Sequence, residues 1–281
     1  MPDQWQCGRF EFSLGRPILM GVVNVTPDSF SDGGQHATAD AAIAHARLLV
    51  GEGAQILDIG GESTRPGSES VDVDLELARV LPIVEAMRDA GIALSVDTCK
   101  PQVMRAVLDA GADMINDITG FTDGQSRDVV ARHATCGVCV MHMQGKPRTM
   151  QVAPHYDDVV VDVRTELLRR AAALQACGVA RGRITVDPGF GFGKTAQQNY
   201  ALLHNIDRLV ETGYPVLIGL SRKSMIAAVT GRPVGERLAG SLAAALAGIA
   251  KGVAIVRVHD VAQTRDALAV WRAANEGFEA T

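Results

Sequence analysis

The sequence predicts a single (β/α)8 barrel, the TIM-barrel fold, as one domain over residues 1–281. One phrase recurs along the chain: a helix-like segment, a glycine, a short apolar run and then polar residues. Glycine just past a helix end is the expected left-handed cap, and short β-branched runs are typical of buried parallel strands. Neither a linker nor a low-complexity stretch divides the chain, and one such barrel commonly takes about 250 residues. A doubly wound sheet is the alternative, but no dinucleotide-binding fingerprint follows the first strand.

The predicted strands make a full barrel that is preceded by a hairpin. Residues 1–16 form the N-terminal part, in which residues 5–14 (WQCGRFEFSL) alternate loosely around a glycine and predict a short β-hairpin. Residues 18–25 (ILMGVVNV) predict the first barrel strand. The other seven strands are expected directly after seven glycines, which are Gly53, Gly91, Gly111, Gly137, Gly178, Gly213 and Gly252.

The segments between these strands carry apolar residues at helical spacing. The clearest predicted helices are residues 39–50, 74–89, 101–110, 157–176, 239–250 and 260–275. Pro82 must either kink its helix or start it, whereas Pro101 suits a first helical turn. The helix over 239–250 (AGSLAAALAGIA) is almost wholly small and apolar, so we expect it to be buried on most sides. It would pack against a second subunit or against the barrel itself.

Composition excludes several classes of function. A net charge of -5 and a pI near 5.8 argue against a nucleic-acid partner. No secretory signal pattern and no apolar run long enough to span a membrane are visible. Five scattered cysteines indicate reduced thiols and a cytoplasmic location. Cys136 and Cys139 have C-x-x-C spacing, but Cys139 lies inside an apolar run, which argues against a redox or zinc role.

Candidate functional residues collect where the strands end, because a barrel builds its site on the carboxyl-terminal face. The residues at or near those ends are Asn24, Asp58, Asp97, Asn116, Met141, Asp187, Gly219 and Arg257. Helix capping explains some of the acids and amides, but it does not explain Arg257 or the convergence of so many polar groups. The pattern predicts a pocket with carboxylates inside.

The loops add cations and aromatic rings to this pocket. Residues 60–67 (GGESTRPG) combine tight-turn glycines, two hydroxyls and Arg65, a set that suits a phosphate or diphosphate. Arg257 and His259 face one side of their strand by alternation, and Lys223 lies near the mouth. Residues 187–195 (DPGFGFGKT) fit neither the P-loop nor the dinucleotide pattern. Phe190 or Phe192 could stack on a flat ring, or could anchor this loop on the core.

Carboxylates accept paired hydrogen bonds from the N–H edge of an aminopyrimidinone-like ring, and cations suit an anionic leaving group. No nucleophile with a His and an acid at recognisable spacing is visible, nor is a zinc cluster. The residues alone therefore predict a ligand in which a flat, N–H-rich ring is joined to phosphate.

Seven motifs in order resemble bacterial dihydropteroate synthases. They are residues 21–33 (GVVNVTPDSFSDG), 57–67 (LDIGGESTRPG), 95–98 (SVDT), 115–118 (INDI), 187–192 (DPGFGF), 219–224 (GLSRKS) and 257–259 (RVH). The resemblance covers nearly the whole chain. It implies a homodimeric (β/α)8 barrel that condenses 6-hydroxymethyl-7,8-dihydropterin diphosphate with 4-aminobenzoate in folate biosynthesis, releasing diphosphate.

The resemblance also implies roles for individual residues. The pterin would be held by Asp97, Asn116, Asp187 and Lys223, with Met141 and Gly219 lining the same pocket. The diphosphate would contact Asn24, Thr64, Arg65, Arg257 and His259, with Asn24 helping to hold Mg2+. The 4-aminobenzoate site would comprise Phe30, Pro66, Phe192, Lys223 and Ser224. The residues expected to act in catalysis are Asp97, Lys223, Arg257 and His259.

Three further expectations follow from this resemblance. Diphosphate would leave early, in an SN1-like step, and residues 26–34 would form a lid that carries Phe30 over the second substrate. Sulfonamides, which imitate 4-aminobenzoate, would inhibit the enzyme. Two alternatives are a pterin-binding methyltransferase and a non-catalytic pterin-binding paralogue, but neither needs the diphosphate contacts that this chain retains.

Overall fold

The computed structural model describes residues 3–25, 35–64, 67–145 and 147–277, without the side chains of 35–38. The predicted lid, with Phe30, lies outside the described residues, and so do Arg65 and Pro66.

The strands form a hairpin and a barrel. The hairpin pairs β1 (Gln4–Cys7) with β2 (Phe10–Ser13) in antiparallel register. The barrel strands are β3 (Ile18–Asn24), β4 (Ile56–Gly60), β5 (Ala93–Asp97), β6 (Met114–Asp117), β7 (Gly137–Met141), β8 (Ile184–Asp187), β9 (Leu217–Ile218) and β10 (Ile255–Val258). All paired neighbours in the eight-stranded sheet run parallel, in the order β8-β7-β6-β5-β4-β3-β10-β9.

A parallel bridge between Val186 and Val216 joins β8 to the start of β9 and closes the sheet into a barrel. The backbone N–H of Val186 donates to the Pro215 carbonyl at 3.0 Å across the same seam. Closure matters for function because it brings the carboxyl ends of all eight strands around one opening.

Helices cover the outside of the barrel. They are α1 (Gln35–Glu52), α2 (Val73–Met87), α3 (Pro101–Ala110), α4 (Gly124–Arg132), α5 (Val159–Ala176), α6 (Ala196–His204), α7 (Asp207–Val210), α8 (Ser224–Thr230), α9 (Leu238–Ile249) and α10 (Val261–Glu276). Their buried faces pack on the sheet and form the largest hydrophobic cluster. Pro82 lies inside α2, which therefore runs through the proline rather than starting at it.

The hairpin closes the amino-terminal end of the barrel. Trp5 is 1% exposed and packs with Met20, Ile56 and Leu217 inside the barrel floor. Its indole N–H donates to the carbonyl of Arg183 at 3.3 Å. The floor is therefore sealed by a packed aromatic residue, and the opposite end is left for ligands.

The predicted fold is confirmed, with one correction in α9. This helix buries one face, including Ser241, Ala244 and Gly248, but leaves Ala243 and Ala247 on an exposed face. The expectation that it is buried on most sides therefore does not hold within the single chain, and cover by a second subunit stays a prediction. A small-residue sequence permits close packing but does not decide how many neighbours the helix has.

Candidate active site

A cavity of about 880 Å³ opens at the carboxyl-terminal end of the strands. The predicted site residues that line it are Asn24, Thr64, Asp97, Phe192, Lys223, Ser224, Arg257 and His259. Asn116, Met141, Asp187 and Gly219 do not line this cavity, although each lies at or next to the end of a barrel strand. The structure thus gathers the expected residues at one end of the barrel.

The floor of the site is an ion-pair network around Arg257. Its Nε donates to Asp58 Oδ2 at 2.6 Å, and its Nη2 donates to Asp97 Oδ2 at 3.3 Å. Asp58 is fully buried and also accepts from Ser95 Oγ at 2.6 Å and from Asn116 Nδ2 at 3.1 Å. The sequence placed Asp58 at a strand end, but β4 continues to residue 60, so Asp58 supports the site from within the barrel.

Burial and the neighbouring Asp58 charge raise the pKa of Asp97, while Arg257 opposes the shift. Burial alone would lower the pKa of Arg257, but Asp58 and Asp97 outweigh it and raise that pKa. The guanidinium therefore stays charged between the two acids. The amide of Asn116 donates to Asp58, and its Oδ1 has no hydrogen-bond partner among the described residues.

The carboxyl ends of β7 and β8 supply a second group. Met141 pairs in register with Asp187, and the N–H of His142 donates to the Asp187 carbonyl at 2.9 Å. The Asp187 side chain accepts from the N–H of Gly189 at 2.7 Å. Burial raises the pKa of Asp187 in spite of the nearby Lys223 charge. Met141 belongs to an apolar cluster that Phe192 packs against.

Lys223 lies between Asp187 and the loop that carries Phe190 and Phe192. Its Nζ donates to the carbonyl of Phe190 and lies 4.6 Å from the ring centroid of Phe192, a cation–π distance. Burial lowers the pKa of Lys223 to about 8. Phe190 is buried in the core, whereas Phe192 lines the cavity, so the two aromatic residues divide the two roles that the sequence left open.

His259 is oriented by a residue to which the sequence had given no role. Ser221 Oγ lies 3.0 Å from His259 Nδ1 and accepts from the His259 backbone N–H at 3.3 Å. Arg257 and His259 are two positions apart at the end of β10, which places them on the same side of the strand. Ser221 lies within the GLSRKS motif, so its position between Gly219 and Lys223 was the available signal.

A second buried ion-pair group supports the loop that contains Thr64. Lys100 Nζ donates to both Glu62 and Glu76, and the Glu76 side chain is 1% exposed. Arg79 donates to the Gly61 carbonyl at 2.7 Å. The sequence gave no role to Lys100 or Glu76, because an acid on an amphipathic helix ordinarily lies on its solvent face.

Asn24 lies at the end of β3 and pairs in register with Gly60. A Cβ atom at Gly60 would lie 3.5 Å from Asn24 Oδ1. Among the described residues, no group of three or more His, Cys, Asp or Glu side chains is placed to hold a metal ion. Cys136 and Cys139 are buried free thiols, and burial raises the pKa of each.

Comparison with known proteins identifies the class. Residues 20–259 match the model of the pterin binding enzyme family, and the chain belongs to that family. The similar relatives are dihydropteroate synthases. The enzyme of Neisseria meningitidis serogroup C is 51% identical over 273 residues, which cover 96% of each chain.

Solved structures agree with this assignment. Xanthomonas albilineans dihydropteroate synthase with 4-aminobenzoic acid has 49% identity and a TM-score of 0.91, covering 98% of each chain. Burkholderia cenocepacia dihydropteroate synthase complexed with 7,8-dihydropteroate has 53% identity and a TM-score of 0.89, covering 98% of this chain and 97% of that one. The resemblance predicted from the seven motifs is therefore confirmed. No helix in the described ranges is both long and apolar enough to cross a membrane.

Proposed function

We propose that this chain condenses 6-hydroxymethyl-7,8-dihydropterin diphosphate with 4-aminobenzoate to give 7,8-dihydropteroate and diphosphate. The observation that carries the proposal is a single cavity lined by the acid Asp97 and by the cations Lys223 and Arg257, in a chain that matches dihydropteroate synthases over nearly its whole length. A pterin-binding methyltransferase is not favoured, since it has no diphosphate to neutralise. Retention of both cations also counts against a non-catalytic paralogue.

The pterin would occupy the acid side of the site. Asp97, Asn116, Asp187 and Lys223 are the proposed contacts, with Met141 and Gly219 beside them. The donation from Asn116 Nδ2 to Asp58 supports this role, because it leaves the Asn116 oxygen to accept from the ring. Buried carboxylates without a full set of donors gain most from a ligand that supplies N–H groups.

The diphosphate would contact Asn24, Thr64, Arg65, Arg257 and His259. Mg2+ usually keeps several waters and binds through one or two protein oxygens together with substrate phosphates. A lone amide oxygen from Asn24 fits that donor set, and a cage made only of protein side chains is not required. When bound, the ion would supply charge neutralisation on the diphosphate.

The 4-aminobenzoate site would comprise Phe30, Pro66, Phe192, Lys223 and Ser224. Phe192 and Ser224 line the cavity beside Lys223, which supports this placement. An aromatic face and a lysine suit a flat ring that carries a carboxylate. The same chemistry makes the site a proposed target of sulfonamides.

The proposed chemistry breaks the C–O bond before the amine attacks. The diphosphate leaves with both electrons of that bond, Arg257 and His259 stabilise its charge, and Asp97 stabilises the resulting pterin cation. The amine of 4-aminobenzoate then forms the C–N bond and loses a proton. A positional oxygen exchange in the diphosphate, observed without 4-aminobenzoate, would support this order, whereas its absence would favour a concerted displacement.

A labelled-substrate assay tests the activity itself. The protein is incubated with pterin diphosphate, Mg2+ and labelled 4-aminobenzoate, and the expected product is labelled dihydropteroate. Asp97→Asn serves as the inactive comparison, since it removes the charge proposed to stabilise the cation. Absence of product from the unmodified, folded protein would overturn the proposal.

A homodimer is proposed from the exposed face of α9. Ala239, Ala243 and Ala247 are exposed at a spacing of four residues, which places them on one face of the helix, and Val234 just before the helix is 60% exposed. Exposed apolar patches commonly mark protein interfaces. Sedimentation should give a dimer that Ala243→Glu converts to a monomer, whereas a monomer at micromolar concentration would contradict the proposal. A cytoplasmic location is proposed from the five free cysteines.

A further inference from the structure

The loop between β8 and α6 is held by side chains along its whole length. Each of the five carbonyls from Gly189 to Gly193 accepts a hydrogen bond from a side chain. The donors are Lys194 to Gly189 and to Phe192 at 3.0 Å each, Lys223 to Phe190, Gln151 to Gly191 at 2.6 Å, and Tyr156 to Gly193 at 2.8 Å. The conformation of this loop is therefore set by its neighbours rather than by solvent.

Lys194 occupies the centre of this arrangement. It is 3% exposed, and its Nζ also lies 3.0 Å from His142 Nδ1 and 3.3 Å from the His142 carbonyl. Burial lowers the pKa of Lys194 to about 7, although the nearby Asp187 opposes the shift. An ammonium has only three protons, and four protein acceptors surround this one. Lys194 therefore acts on the protein and not directly on a ligand, although it borders the cavity.

The backbone of the loop explains why a buried cation is needed there. Gly189 and Gly193 have φ values of +66° and +63°, and a Cβ atom at either would meet backbone oxygens of the segment after β7. The nearest such contacts are 1.9 Å to the His142 carbonyl and 2.6 Å to the Gln144 carbonyl. The β8–α6 loop and the segment after β7 thus lie against each other with carbonyl groups between them. The Lys194 ammonium donates hydrogen bonds to these carbonyl oxygens.

The side chain that this loop presents to the cavity is Phe192. Its carbonyl is bonded to Lys194, its N–H donates to the Gly189 carbonyl at 3.1 Å, and its ring lies beside Lys223. Losing the Lys194 ammonium would remove its hydrogen bonds to the Phe192 and Gly189 carbonyls, and only the Phe192 N–H would still donate to Gly189. Displacing that ring would alter the cavity wall.

We infer that Lys194, assisted by Tyr156, is a positioning residue that fixes Phe192 as a wall of the 4-aminobenzoate site. This inference rests on the proposed function, which supplies the second substrate. Lys194, the lysine of the DPGFGFGKT stretch, therefore acts neither in phosphate binding nor in proton transfer. Lys194 acts by holding the loop, so its loss should weaken the use of 4-aminobenzoate and not the binding of pterin diphosphate.

The test compares the two substrates in Lys194→Met and Tyr156→Phe. We expect Lys194→Met to raise the KM for 4-aminobenzoate by at least about tenfold, since it removes the side-chain donor of two loop carbonyls. Tyr156→Phe should raise it by about two- to fivefold, because one hydrogen bond is lost without a change of volume. Binding of pterin diphosphate, measured by calorimetry without the second substrate, should stay within about twofold.

A double-mutant cycle with Phe192→Ala separates positioning from general damage. If Lys194 acts through this ring, Lys194→Met adds little to the KM of the Phe192→Ala variant. Additive effects, or equal losses for both substrates, would overturn the inference. If Lys194→Met does not fold, the Tyr156→Phe cycle decides in the same way, and an unchanged KM there also overturns it.

Two matched controls make the same substitutions, lysine to methionine and tyrosine to phenylalanine, at positions outside the β8–α6 loop. Lys251 donates to the His204 carbonyl away from the cavity, and the Tyr214 hydroxyl accepts from Gln175 Nε2 at 2.7 Å. Lys251→Met and Tyr214→Phe should leave both substrate constants unchanged. Failure of the proposed function would appear as no product from the unmodified protein, which is distinct from an active protein whose variants keep a normal KM.

Discussion

Arg257 donates through Nε to Asp58 at 2.6 Å, although 199 positions separate the two residues in the chain. Asp58 has no exposed surface, and its other oxygen accepts from Ser95. The same guanidinium reaches Asp97 at 3.3 Å. A cation expected at the diphosphate is thus shared by two acids before any ligand binds. Asp58 holds Arg257 in position, and Asp97 remains the acid that borders the cavity.

Asp97→Asn should abolish activity while leaving the fold intact. The native pKa of Asp97 lies above its unfolded value of 3.8, so the native state binds the proton more tightly, and stability falls as pH rises above about 4. The amide lacks this penalty. We expect a loss of kcat of at least about a hundredfold. At pH 8 the free energy of unfolding, measured by urea titration, should equal or exceed that of the unmodified protein.

The unfolding free energies of Asp97→Asn and the unmodified protein are compared between pH 4 and 8. Over this range the free energy should depend less on pH in the variant. A variant that is clearly less stable than the parent at pH 8 would contradict this account of Asp97. Such a result would mean that its pairing with Arg257 outweighs the cost of burying its charge.

Deprotonation of Lys223 should cause the fall of kcat/KM on the alkaline side of its pH profile. Burial lowers its pKa to about 8, so the ammonium beside Phe192 loses its proton as pH rises through that value. We expect kcat/KM to fall with the loss of charge. Lys223→Arg should be less active but should lack this fall, because a guanidinium stays protonated.

The pH profile of Lys194→Met is the control, since Lys194 also titrates near neutrality. The alkaline fall of kcat/KM should persist in that variant. If it disappears there and remains in Lys223→Arg, the assignment to Lys223 is wrong.

Lys100→Met should destabilise the protein through Glu76. The Glu76 carboxylate is buried, it shares the ammonium with the partly exposed Glu62, and its Oε1 has no partner within the described ranges. Removing the lysine leaves a buried charge unpaired, which costs about 3–5 kcal/mol. Guanidinium-induced unfolding measures the loss.

The double variant Lys100→Met, Glu76→Gln should recover most of that stability, because no unpaired buried charge remains. Arg232→Met, which breaks an exposed pair with Glu236, should change stability by less than about 0.5 kcal/mol. Additive losses in the double variant would show that the two residues are not coupled.

The barrel could be predicted from the sequence because its signals are local. Glycine caps and short apolar runs mark each β–α unit, and the polar residues near strand ends, such as Asp97 and Asn116, follow from the period of a strand. Long-range partners leave no such mark. Nothing near Asp58 indicates that Arg257 will bind it, and nothing near Lys100 indicates that a carboxylate of α2 will be buried beside it.

The loop over residues 187–195 shows the same limit. The sequence predicted a loop that carries Phe190 and Phe192, and its Lys194 resembled part of a phosphate-binding motif that did not fit. The role of Lys194 depends on the His142 carbonyl and ring, which the segment after β7 supplies. Tertiary contacts of this kind are decided when the barrel closes.

Trp5→Ala should weaken the fold without altering the chemistry of the site. Trp5 closes the floor of the barrel, and losing a buried aromatic side chain costs about 3–5 kcal/mol. At a temperature where the variant remains folded, the KM values for both substrates should match those of the parent, since the cavity lies at the opposite end of the strands. Glu11→Ala, on the exposed side of the same hairpin, is the matched control and should be near neutral. A change in either KM for Trp5→Ala would mean that the packing of the floor is coupled to the geometry of the site.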